Sequence, residues 1–167
     1  LIMDSGRLDK SLVRITQTAE AGKEKAAGLR KEFFRLGRES GQQIELLQGG
    51  FDDLVQSGLN LKQSEETLKG INIAMAVTGA NAKVLAGGLT VGAKFFDFDL
   101  SKVGVAEKML DQMTVAGRLG NAELENLSAI FSRIGNNASR ANMGYAGTMA
   151  FVEALSLAEK NPERLAT

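Results

Sequence analysis

An all-α fold follows from three features of this 167-residue chain. An unbroken heptad occupies its first forty residues. Proline occurs once, at Pro162. The remaining apolar residues recur at helical spacing between Gly- and Asn-rich turns, and no stretch alternates cleanly in the manner of a strand. Hydrophobic residues make up 44% of the chain, enough to build a core.

The heptad consists of Leu8, Leu12, Ile15, Ala19, Gly22, Ala26, Leu29, Phe33 and Leu36, with spacings that alternate between four and three. A helix from about Ser5 to Ser40 would be about 54 Å long at the standard rise. The middle of its seam is small, so it brings helices close but buries little area. The seam therefore needs a partner from its own chain, from a second copy or from flanking sequence. The plainer reading is an amphipathic helix lying on the rest of the domain. Residues 1–41 are accordingly expected to form a coiled-coil-like arm, and residues 42–167 a domain of short antiparallel helices, cut off at its C-terminus within a longer parent.

Past Gly41, Ile44, Leu47, Phe51, Leu54 and Val55 predict a helix with a weak point at Gly49-Gly50. A helix over Ser64–Val77 is expected with Ser64 as its N-cap. Others are expected over Asn81–Phe96, Lys102–Arg118, Ala122–Ile134 (capped by Asn121) and Gly147–Glu159. Asp97–Ser101 should be a connection. Gly135-Asn136-Asn137 should end the fifth of these helices, with a short turn to Met143. Asn161-Pro162-Glu163 reads as the start of another. The chain has 19 glycines, many of them inside helical pattern, where each costs roughly 1 kcal/mol relative to alanine. Close helix approach, a break and loose packing all remain open as reasons.

Several function classes lack their chemistry. The chain has no histidine and no cysteine, which removes Ser–His and Cys–His nucleophiles, thiolate metal sites and disulfides. Formal net charge is zero, so no bulk field draws nucleic acid or an acidic membrane. The basic residues near the N-terminus are interrupted by acids, as on a solvated mixed-charge face. Gly70–Ala82, the longest uncharged stretch, falls short of the ~20 residues a spanning helix needs. Gly87–Lys94 superficially resembles a phosphate loop, but Ala93 separates Gly92 from Lys94 and Phe95 stands where Ser or Thr is required. Gly88 and Gly92 also have the small-xxx-small spacing of close helix approach. Asp97, Asp99 and Ser101 mimic the first calcium-loop ligands, but Lys102 and Lys108 occupy the glycine and glutamate positions. The carboxylate pairs Asp52/Asp53 and Glu65/Glu66 are expected at or near helix starts, where acids stabilise the dipole. No catalytic residue, cofactor or metal ligand is expected, and the seam is the one candidate interaction site.

Four runs carry a family likeness: Gly58–Ile71 (GLNLKQSEETLKGI), Ala74–Ala82 (AMAVTGANA), Met113–Phe131 (MTVAGRLGNAELENLSAIF) and Asn142–Ala158 (NMGYAGTMAFVEALSLA). Over about Phe51 to Thr167 the chain resembles the tail tape-measure proteins of bacteriophages and prophages, in their minor-tail region. The resemblance implies a helical structural protein of the virion tail lumen, made in the host cytoplasm. Such a protein sets tail length, templates tube assembly and is ejected with the DNA. It also implies the tail-tube protein and tail-assembly chaperones as partners, with self-association through the N-terminal helix as a further expectation. The alternative is a generic helical scaffold or interaction module, chaperone-like or a secreted effector.

Overall fold

The computed structural model of the chain describes residues 10, 12–14, 23–120 and 123–158. Among these residues there are seven helices and no strand, and residues 10 and 12–14 are helical as well. The helices are α1 (Lys23–Ser40), α2 (Ile44–Gln56), α3 (Leu61–Thr78), α4 (Ala82–Phe95), α5 (Val105–Gly120), α6 (Leu124–Arg140) and α7 (Tyr145–Ala158). The class is all-α.

Capping chemistry sets several boundaries, and some differ from the expectation. Helix α3 begins three residues before Ser64. The Asn60 side chain accepts from the Gln63 backbone N–H at 2.9 Å, and the Gln63 side chain accepts from the Asn60 N–H at 3.0 Å. This reciprocal pair satisfies two orphan donors, more than Ser64 alone could do. Ser64 is instead buried inside the helix. Gly79 ends α3 in the left-handed region at φ +72°, which an L side chain adopts only with strain. Asn81 caps α4 through the Lys83 N–H, as its position suggested.

Neither the expected weak point at Gly49-Gly50 nor the expected stop at Gly135-Asn136-Asn137 breaks a helix. Helix α2 runs straight through Gly49-Gly50, and α6 runs through Gly135-Asn136-Asn137 to Arg140. Packing outweighs local propensity in both. Gly50 abuts Ala82 of α4. Ala138 is buried, and the Ser139 hydroxyl donates to the Phe95 carbonyl at 2.9 Å. Helix α5 begins at Val105 rather than Lys102, because the Asp99 side chain takes the Ser101 N–H and its carbonyl takes the Lys102 N–H in a turn. Helix α6 begins at Leu124 with Glu123 at the cap position, and α7 begins two residues earlier than expected. The proposed cap Asn121 and the start signal at Asn161-Pro162-Glu163 lie outside the described residues.

Every helix packs against the next in sequence and against the next but one, and no comparable packing joins more distant helices among the described residues. Sequential helices are antiparallel: Phe33 meets Phe51 while Gly37 meets Ile44 across the α1–α2 turn. Alternate helices are parallel. Gly70 meets Ala106, and further along the same pair Val77 and Thr114 line one pocket. Similarly Gly88 meets Ser128 and Val91 meets Gly135. The result is two layers, α1-α3-α5-α7 and α2-α4-α6, with the core between them.

Small residues stand where alternate helices cross. A Cβ on Gly70 would lie 3.0 Å from both the Ala106 Cβ and the Glu107 backbone nitrogen. A Cβ on Gly88 would lie 3.3 Å from the Ser128 Cβ, and one on Gly50 2.9 Å from the Ala82 Cβ. At these positions the reason for an interior glycine is close helix approach. Gly28 on α1, by contrast, has nothing within 4 Å of a built Cβ.

Replacing a helical glycine by alanine gains about 1 kcal/mol of propensity, while overpacking a tight contact costs about 1–3 kcal/mol. Gly70→Ala should therefore lower stability by about 1 kcal/mol, and Gly28→Ala should raise it by about 0.5–1 kcal/mol, both read from urea unfolding midpoints.

Candidate interaction surface

The predicted seam divides on inspection. Leu12, Leu29, Phe33 and Leu36 are buried in the core, and Ala26 packs against it half-buried. Leu8, Ile15, Ala19 and Gly22 lie outside the described residues. Phe33 meets Phe51 edge-to-face at 5.4 Å. The end of α1 is tied to α3 by a polar cluster. The Ser40 hydroxyl lies 2.8 Å from the Leu36 carbonyl and 2.6 Å from Asn72 Oδ1, donating to one at a time. The buried Asn72 amide donates to the same Leu36 carbonyl at 3.2 Å. Lys25 pairs with Glu65 on α3 at 2.9 Å. Over the described residues, then, the seam faces this chain's own α2 and α3.

The sequence motifs resolve into structural roles. Gly87–Lys94 is helical throughout, so its amides bond along α4 rather than cradling an anion. Asp99 accepts from the Ser101 N–H and hydroxyl at 3.0 and 2.6 Å, and these bonds hold its carboxyl below the usual carboxylate range. Among the described residues no three acidic, His or Cys side chains converge on a metal-sized site. Asp52 and Asp53 are not at a helix start. They sit in the second half of α2, where Asp52 meets Arg14 at 3.1 Å and Asp53 meets Lys83 at 3.7 Å. Glu66 pairs with Lys69. Arg35 bridges Glu32 and Glu39 on the face of α1, its hydrogen bond holding the Glu32 carboxyl below its ordinary range.

A contiguous exposed apolar surface lies elsewhere, on α5 and α7. A groove of about 380 Å³ runs between them, lined by Val115, Ala116, Leu119, Ala146, Met149 and Ala150, with Lys108, Asp111 and Glu153 among its polar residues. Val115 is 56% exposed and Leu119 61%. The outward side of α7 is formed by Gly147, Ala150, Phe151, Ala154, Leu157 and Ala158, and Glu153 is that helix's one charged residue. Phe151 is 47% exposed and Leu157 64%. The sequence signal for this surface was present but unread. A surface helix normally alternates apolar and polar faces, and Tyr145–Ala158 has almost no polar face to show.

Tyr145 anchors the groove's inner end. Its ring meets Phe96, Phe98 and Phe131 edge-on at 5.9, 4.8 and 5.4 Å, and its hydroxyl donates to the Met109 carbonyl at 3.0 Å. Burial pushes the phenol's pKa above its usual value.

A family model described as phage-related minor tail protein matches residues 30–167. The chain belongs to that family. Membership makes this minor tail protein a structural component of a phage tail. No curated protein and no solved structure matches it. No helix among the described residues is long and apolar enough to cross a membrane.

A raised phenol pKa stabilises the fold below pH ~10, where folded and unfolded phenols are both neutral, and that stability is lost as pH rises and only the unfolded phenol ionises. Tyr145→Phe should lose about 0.5–1.5 kcal/mol at neutral pH. It should also show a shallower fall in stability between pH 9 and 11 than the parent, measured by urea unfolding across that range.

Proposed function

We propose that this chain is part of a tape-measure protein, one that sets tail length, templates tail-tube assembly inside the lumen and leaves with the DNA. The family match over residues 30–167 carries the reading, because it assigns the chain to phage minor tail proteins. The four runs that resemble tape-measure proteins give the finer role. The physical logic is that a ruler needs a fixed rise per residue, which helix supplies at about 1.5 Å. The partners in this reading are the tail-tube protein and the tail-assembly chaperones, met in the host cytoplasm. The role is mechanical rather than catalytic, in keeping with a chain that has neither histidine nor cysteine.

The exposed apolar groove and the uncharged flank of α7 favour a second reading, a helical scaffold or interaction module, whether chaperone-like or a secreted effector.

In-frame deletion of residues 44–158 from the parent gene should shorten tails by roughly 170 Å if this stretch is drawn out as helix at about 1.5 Å per residue. Tail lengths are read by electron microscopy, and assembled tails of unchanged length would favour the second reading. The purified chain should release no soluble fragments from bacterial cell walls, and release that survives repurification would overturn the mechanical assignment.

A further inference from the structure

We propose that the outward face of the α3-α5-α7 layer docks on the same face of a second copy of this chain, about a two-fold axis that crosses α5 beside Val115.

The two layers differ in what they show to water. Helices α3, α5 and α7 expose Ile73, Val77, Val115, Leu119, Phe151 and Leu157, whereas α2, α4 and α6 expose one large apolar side chain, Leu46. The apolar exposure is therefore a property of one layer. Part of it forms a row. Val77 lines a pocket with Thr114, and Val115 lines the groove with Ala150, so Val77, Val115 and Ala150 stand abreast on three parallel helices. Val77 is 76% exposed, and Ala150 is exposed as well.

The charges beside this row identify the occupant. Lys25–Glu65, Glu66–Lys69 and Asp53–Lys83 are ion pairs within the chain. Asp111 and Arg118, both exposed on α5, have no ion-pair partner among the described residues. They are seven residues apart, a spacing that returns to nearly the same side of a helix. Their midpoint falls between Thr114 and Val115, on the apolar row. A two-fold axis along that row makes the two α5 helices antiparallel. It places Asp111 of each copy opposite Arg118 of the other, and Val115 opposite Val115. The face is thus complementary to itself in charge, as an isologous interface must be. The same rotation sets Leu119 over the other copy's α5–α7 groove, where Gln112 and Ala146 form the walls.

The extent is adequate. Three packed helices, with 16 residues in α5, span roughly 25 Å by 25 Å. The accessible surface of such a ridged face exceeds its plan area and approaches the ~800 Å² per partner of a standard interface. Apolar residues lie in its middle, and Lys108, Asp111, Arg118 and Glu153 lie around them, the usual order of core and rim.

This surface is distinct from the N-terminal seam, and the inference does not rest on the tail-length reading. Sedimentation velocity on the whole chain tests it. The parent should form a dimer with a dissociation constant on the order of 10 μM. Asp111→Arg and Arg118→Asp should each weaken that dimer at least about tenfold, because like charges then face one another. Both changes in one chain exchange the signs of the pair and should return the affinity to within about threefold of the parent. Both positions are exposed, so the fold should be kept, which urea midpoints check. The chain has no cysteine, so Val115→Cys supplies a single thiol beside the axis. Mild oxidation should link it into a dimer at least about tenfold faster than Arg133→Cys, an exposed position on α6. A monomeric parent, a dimer indifferent to both single reversals, no recovery in the double variant, or equal linkage at 115 and 133 overturns the proposal.

Discussion

The fold depends on alternate helices approaching until their backbones nearly touch. At Gly70 the neighbour is not only the Ala106 methyl but the backbone nitrogen of Glu107, and a backbone cannot swing aside as a side chain can. Gly88 against Ser128 repeats the arrangement in the other layer, and Gly50 against Ala82 repeats it one helix earlier. Close crossing lets large residues on either flank interdigitate, so Leu47, Leu54, Ile71, Leu85, Leu89, Leu127 and Phe131 become buried almost without remainder. The glycines cost helix propensity locally, and the packing they permit offsets that cost across the layer.

Polar groups then fix which helix lies where. Asn72 is buried and tied to the end of α1, and Glu125 on α6 accepts the Asn81 N–H at the start of α4 at 3.0 Å. Tyr145 holds α7 to the α5 backbone. Each of these bonds is worth only about 1 kcal/mol net, but leaving a buried partner unsatisfied costs more, so they penalise misplacement more than they add stability. Ser64 and Thr67 are exceptions, since their buried hydroxyls have no hydrogen-bond partner among the described residues. Such sites lower cohesion in the middle of α3 without breaking it.

The family match and the array are complementary facts. Membership among phage minor tail proteins says where such a chain serves. Among the described residues the helices pack chiefly on near neighbours in sequence, so their interfaces form a local series. A barrel or sandwich of the same length closes distant parts of the chain on one another and lacks that property.

The sequence by itself determined the fold class and most helix cores. Helical spacing at Leu47/Phe51/Leu54, Leu68/Ile71/Met75 and Leu124/Leu127/Phe131 is a local signal, and local signals survive into any tertiary setting. The cap at Asn81 was legible for the same reason. The tertiary structure decided that Gly49-Gly50 and Gly135-Asn136-Asn137 continue as helix, that Leu29, Phe33 and Leu36 turn toward α2 and α3, and that Phe151 and Leu157 of α7 are left exposed. Those outcomes rest on which surfaces meet across forty residues of sequence. A glycine that would end an isolated helix becomes the point of closest contact once a neighbour lies against it.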